Sequence, residues 1–343
     1  MRAAFFVIVA RMENLSPLLM LPGFDPRPWG TRDLSPIYPN HQFAEKIGEA
    51  WLTGDDCKVA NAPFAGKTLA QLSEQHQRDL VGDAARDAKR FPLLAKFLFP
   101  HEKLSVQVHP DDEQALRVGQ PWGKTECWYV AHAKPGSQIA LGLTPGATAT
   151  QFEVAIRENR AEELLNWLDV HAGDMIYVAG GTVHTLGPGS VIVEIQQQSD
   201  TTYRLYDYGR GRQLHLKDGL AAVKEKVASG KVVRTQPQVQ RDNVRQEILV
   251  AAPYFVVEKF EAKAALDLST RDDSGRSSVQ ILVATVGCGV IETSGAEPVA
   301  MAKGDAVVVP ACLERFSVRP QWMLEFLRAY VPGKTLSEPE TRK

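Results

Sequence analysis

His171-Ala172-Gly173-Asp174-Met175-Ile176-Tyr177-Val178 is echoed later in the chain by Ala302-Lys303-Gly304-Asp305-Ala306-Val307-Val308-Val309-Pro310. In each, a Gly-Asp turn feeds a short apolar run, a common device for opening a β-strand. The echo gains weight when it is carried forward. Eleven residues after Gly173 stands His184, and eleven after Gly304 stands Arg315. The first copy has a metal-type side chain there and the second does not. A repeated β unit follows, with one working copy and one structural copy.

Further apolar runs agree with this. Cys127-Trp128-Tyr129-Val130, Val191-Ile192-Val193-Glu194-Ile195 and Ile47-Gly48-Glu49-Ala50-Trp51-Leu52 read as strands, and a second strand-rich region runs from Tyr254-Phe255-Val256-Val257 to near Tyr330. Gly and Pro bound the runs, the pattern of an antiparallel barrel or sandwich. Polarity and Leu/Ala spacing predict helices from Thr68 to Phe99, interrupted near Pro92, and again over Ala149 to Leu168 and Leu216 to Val227. These helices are packing elements. Phe24 to Gly30 reads as turn, and the polar stretch Thr235 to Arg245 separates the two strand-rich regions.

With 343 residues the chain is long enough for two domains with sizeable cores. A net charge of −2 gives no electrostatic case for nucleic acid or an anionic membrane as partner. Cys57, Cys127, Cys288 and Cys312 form no Cys-x-x-Cys pair and no disulfide framework, which fits a reducing cytoplasm. Ala3 to Ala10 is an apolar run far shorter than a membrane span, and Met12 is a second start. Residues 1–11 are expected to be a disordered extension.

Gln107 and His109 stand two apart in Leu104-Ser105-Val106-Gln107-Val108-His109-Pro110, so in a strand they share a face while Val106 and Val108 pack on the other. Lys124-Thr125-Glu126 follows, and His184 comes from Gly180-Gly181-Thr182-Val183-His184-Thr185. A single buried histidine is usually an ordinary core residue. Two imidazoles with a carboxylate are a catalytic zinc set that leaves room for water or substrate.

These residues resemble the cupin superfamily and, within it, the type I mannose-6-phosphate isomerases. Pro28-Trp29-Gly30 and Ile47-Gly48-Glu49-Ala50-Trp51 are similar to the family's opening. Its most characteristic stretch is matched by Leu104 to Asp112 together with Gly123-Lys124-Thr125-Glu126-Cys127-Trp128-Tyr129. Gln197-Gln198-Ser199-Asp200-Thr201-Thr202-Tyr203-Arg204-Leu205-Tyr206-Asp207-Tyr208 resembles the shorter bacterial members. The resemblance spans most of the chain. Cys127 departs from it, standing where Met or another apolar residue is more usual, and is read as a small core residue.

The resemblance implies a mainly β fold of two cupin-type antiparallel β-barrels, a bicupin, with a few flanking α-helices. Residues 12–235 would form the catalytic domain with helical insertions and 236–343 a metal-free cupin-like domain. It implies one zinc ion per chain on His109, Glu126 and His184, with Gln107 as a fourth ligand in some members. Lys124, Ser105 and Arg204 fall on substrate-binding positions, with Lys124 and the active-site arginine Arg204 also expected to be catalytic. The partner is a small sugar phosphate, and the chain is a monomer or weak homo-oligomer. The implied reaction interconverts mannose 6-phosphate and fructose 6-phosphate through an enediol. It needs a general base, for which Glu194 stands first beside Glu49 and a metal-held water. Glu194, Gln196 and Gln198 share one strand face, and a carboxylate turned into a barrel is costly unless paired or working. The other readings are a cupin metalloenzyme of different chemistry and a non-catalytic sugar-binding bicupin.

Overall fold

Side chains alternate along the apolar strands, and this places the site. The computed structural model describes residues 14–234 and 238–343, so the extension expected over residues 1–11 lies outside them. Among the described residues the strands form antiparallel sheets of eight, five and nine strands. Leu93–Leu98, Glu126–Ala133, Met175–Val178 and Ser190–Gln197 lie in the middle of the eight-stranded sheet. One face of this sheet carries Leu98, Trp128, Val130, Ile176 and Ile192. They pack with Ile139, Leu141 and Leu186 of the five-stranded sheet. The other face carries Phe97, Cys127, Tyr129, Tyr177 and Val193, packed with Val257, Ile281, Val308 and Leu327 of the nine-stranded sheet. Burying both faces accounts for the continuously apolar strands, each large side chain contributing about 1.5–3 kcal/mol.

The repeat is visible in the turns. Gly173 and Gly304 both have positive φ, 91° and 95°, which glycine adopts without a side-chain clash. Asp174 accepts from the His171 N–H at 2.9 Å, and Asp305 accepts from the Ala302 N–H at 2.9 Å. His184 opens the strand His184–Leu186, and Arg315 opens Arg315–Tyr330.

Several helix expectations are corrected. Leu69–His76 and Arg78–Val81 are helical, but the same predicted stretch ends in the strand Leu93–Leu98. Its residues are all buried, so a short apolar run gave no period that separates strand from helix. Ala149–Arg157 is a helix, whereas Leu165–Asp169 is a strand that pairs Trp167 with Ala140. Asn159, at φ 57°, turns the chain between them. The last predicted helix stops at Ala222. Phe24 to Gly30, expected as turn, lies in the strand Gly23–Thr31. That strand is at the edge of its sheet, where Pro26 and Pro28 can sit without breaking an interior ladder.

Two connections tie the ends of the chain across the molecule. Leu18–Leu19 pairs with Ala306–Val309 of the nine-stranded sheet, and Thr341–Arg342 pairs with Gly230–Val232 of the eight-stranded sheet. Among the described residues no helix is long and apolar enough to cross a membrane.

Candidate metal and substrate site

Gln107 and His184 are direct cross-strand partners in the five-stranded sheet, and His109 follows one residue beyond Val106–Val108. Glu126 begins a strand of the facing sheet. The two sheets therefore face one another at these side chains, and one donor atom from each of His109, Glu126 and His184 lies within 4.8 Å of the others. His109 Nε2 is 3.6 Å from Glu126 Oε2, and His184 Nε2 is 3.4 Å from Oε1. All three residues are buried.

The backbone sets which ring nitrogen faces inward. His109 Nδ1 donates to the Thr201 carbonyl at 3.0 Å, and His184 Nδ1 donates to the Thr182 carbonyl at 2.9 Å. Each Nε2 is left as the lone-pair nitrogen, the arrangement that orients a metal-ligating histidine. His109 Nε2 and both Glu126 oxygens are buried without a hydrogen-bond partner. Unsatisfied atoms of this kind are costly. Two neutral nitrogens and a carboxylate facing one point would be satisfied together by a divalent ion, so the donor set fits zinc. Gln107 donates to His184 Nε2 at 3.2 Å, and its carboxamide must turn before its oxygen can ligate.

Burial also sets the protonation of this cluster. It pushes the Glu126 carboxyl up to about 8, with the nearby Glu194 acting in the same direction. Burial lowers His184 to about 4. It holds His109 well below the ordinary imidazole range, helped by Lys124 and His184. Below about pH 8 the metal-free carboxyl is mostly protonated, and a bound cation requires it ionised. Zinc binding at neutral pH is therefore expected to release about one proton per chain, and above about pH 9 almost none. Calorimetry in buffers of different ionisation enthalpy measures this. Release that stays constant between about pH 6 and 9 would show that the metal-free Glu126 carboxyl is not held protonated by its burial.

The segment bearing Lys124 and Glu126 is strapped in place. The Gly123 N–H donates to Asp112 Oδ1 at 2.9 Å, the Lys124 N–H to the Pro110 carbonyl at 2.9 Å, and the Thr125 N–H to Gln197 Oε1 at 2.9 Å. A Cβ on Gly123 would meet the Asp111 carbonyl carbon at 2.4 Å and the Asp112 nitrogen at 2.5 Å. Gly123→Ala is expected to cost about 1–3 kcal/mol and to weaken zinc binding, because backbone must move. Denaturant midpoints with zinc titrations test this, and an unchanged midpoint would contradict it.

A cavity of about 450 Å³ opens beside these donors, lined by Ser105, Gln107, Lys124, Glu194 and Arg204 among others. Lys124 is buried, its Nζ 3.6 Å from Glu126 Oε2. Arg204 is the direct cross-strand partner of Gln107. Its Nη1 donates to the Gln213 carbonyl at 3.0 Å, while its buried Nε has no partner. Asp207, a natural mate for Arg204, is held by Arg210 and Arg212 instead. Ser105 Oγ donates to Gln107 Oε1 at 3.4 Å.

Lys96 is a buried charged residue of the cavity wall that the sequence did not single out. It projects from Leu93–Leu98 onto the cavity face, directly opposite Glu194. Its Nζ lies 3.1 Å from Glu194 Oε1 and 3.4 Å from Glu49 Oε2. Trp128 Nε1 donates to the other Glu194 oxygen at 3.0 Å. Burial alone would raise the Glu49 carboxyl, but Lys96 and Arg27 hold it down to about 2. Glu194 is thus paired with Lys96. The detectable signal was a lysine inside the apolar run Leu93-Leu94-Ala95-Lys96-Phe97-Leu98.

A profile of phosphomannose isomerase type I, catalytic domain, matches residues 31–152. The chain is 32% identical over 306 residues to mannose-6-phosphate isomerase of Streptococcus mutans, covering 86% of this chain and 92% of that one. The crystal structure of mannose 6-phosphate isomerase from Bacillus subtilis matches with a TM-score of 0.81 and 29% identity, over 92% of this chain and 99% of that chain. A zinc-bound holo structure of mannose 6-phosphate isomerase is similar in fold, with a TM-score of 0.72 at 14% identity, over 92% of this chain and 100% of that chain. With a shared fold and sequence similarity along most of its length, this chain belongs to the type I phosphomannose isomerase family.

Proposed function

We propose that the chain interconverts mannose 6-phosphate and fructose 6-phosphate, with one zinc ion held by His109, Glu126 and His184 and Gln107 as an additional ligand. The observation that carries the proposal is the convergence of His109, Glu126 and His184, with His109 Nε2 and both Glu126 oxygens buried and unpartnered, next to Lys124 and Gln107 of the cavity that Arg204 also lines. The sugar-phosphate relatives and the zinc-bound neighbour support it. Zinc there would supply Lewis acidity toward charge growing on the sugar oxygens.

The chain's own residues divide the remaining work. Ser105, Lys124 and Arg204 bind the substrate and its negative charge, the arginine through a planar fork and the lysine as a compact cation. An aldose–ketose exchange also moves a proton between neighbouring carbons. Glu194 is our choice for that proton. Glu49 is the poorer base, since Lys96, Arg27 and Trp51 hold it in its charged form. Lys96 and Trp128 fix the direction of the Glu194 carboxyl.

At the level of architecture we read two cupin-type β-barrels, one in residues 12–235 and one in 236–343. The matching Gly-Asp turns and their strand pairing support this. A coupled assay with both hexose phosphates, on metal-depleted protein and after zinc is restored, tests the function. Turnover that is absent with zinc restored, or equally fast without metal, would refute it.

A further inference from the structure

A second cavity, of about 240 Å³, is lined by none of the metal donors and lies between segments from the two halves of the chain. Leu93, Trp122 and Tyr254 supply apolar and aromatic wall. Its charged lining residues are Arg86, Arg276 and Lys334, and no carboxylate lines it. The cations are incompletely neutralised. Arg276 is held by the neutral carbonyls of Gly333 and Asp83. Lys334 has no ion-pair partner among the described residues. Arg86 alone pairs with a carboxylate, Asp112, at 2.6 Å.

Aromatic walls with cations that are only partly neutralised suit a small anion that carries an apolar ring. The volume is below the roughly 300–1,000 Å³ of drug-sized sites, which limits the occupant to about one ring and one acidic group. We propose that this cavity is a second ligand site, for a single-ring organic anion. Its wall includes Gln197, whose amide accepts from the Thr125 N–H at 2.9 Å and donates to Asp112 at 2.9 Å. A ligand here therefore touches the support of the segment that carries Lys124 and Glu126.

Benzoate is the probe, titrated by calorimetry into the whole zinc-loaded protein. Lys334→Glu, at an exposed residue, is expected to weaken binding at least about fivefold. Ala84→Phe, which fills the cavity from its wall, should weaken it similarly with the melting temperature retained. Arg204→Ala should leave benzoate affinity unchanged, because the substrate cavity is separate. Saturating benzoate is expected to slow hydrogen exchange of the Thr125 amide, and unchanged exchange there overturns the placement. The proposal is also overturned if benzoate gives no binding heat up to about 20 mM. Equal binding by benzyl alcohol, equal affinity in Lys334→Glu, or loss of binding in Arg204→Ala would likewise overturn it.

Discussion

His184→Ala is expected to abolish stoichiometric zinc binding and to lower turnover by at least about 10²–10³-fold, while the protein stays folded. The side chain supplies one of three converging donors, and its Nδ1 hydrogen bond to Thr182 exists to aim the other nitrogen. Its removal leaves one imidazole, one carboxyl and the neutral carboxamide of Gln107, too weak a set to hold zinc against water. The structural cost is that of a buried truncation, about 1–3 kcal/mol, which a chain with such extensive two-faced cores can absorb. The same strand position in the second copy is Arg315, which is exposed, so the repeat does not need histidine there to fold. Metal analysis, turnover and a thermal melt on one preparation read all three effects. Retention of one zinc per chain by His184→Ala would remove this residue from the site.

The comparison of the two copies also shows what the sequence could and could not convey. The strand starts, the face shared by Gln107 and His109, and the Gly-Asp repeat were legible because each depends on local period or turn chemistry. Lys96 was not, because a run buried on both faces loses the alternation that marks a strand. The second copy hides its logic further. Val178 pairs with Glu126, and the repeat-related Val309 pairs with Gln280, so Gln280 stands where the first copy has Glu126. By the same ladder, Glu258 and Arg328 stand where the first copy has Lys96 and Glu194. The ion pair is kept with its signs exchanged, Arg328 Nη1 lying 3.2 Å from Glu258. Arg328 Nε also donates to Gln280 at 2.6 Å, so the residue at the Glu126 position is satisfied by a hydrogen bond instead of being left unpartnered. No local pattern in the sequence signals this exchange, since it appears only once the strands are in register.

Arg204→Ala is expected to lower kcat by about 10²-fold or more, with zinc content unchanged and a smaller change in KM. The guanidinium is on the cavity wall beside Gln107, its Nε is buried and unpartnered, and Asp207 is taken by other arginines. Burial lowers its pKa, and the neighbouring Arg212 adds to the effect, so its charge is poorly compensated by the protein. An anionic substrate group would relieve both penalties at once. If that relief grows as charge develops on the sugar, the loss falls on kcat rather than on binding alone. Arg204→Lys should recover only part of the rate, because a point charge cannot reproduce the bidentate fork. Lys124 cannot serve for the same test. It lies 3.6 Å from Glu126, so its removal would disturb the metal donors together with the substrate contact. Steady-state kinetics with metal analysis separate these cases. Near-normal kcat in Arg204→Ala, with full zinc, would show that the guanidinium only positions the Gln213 segment.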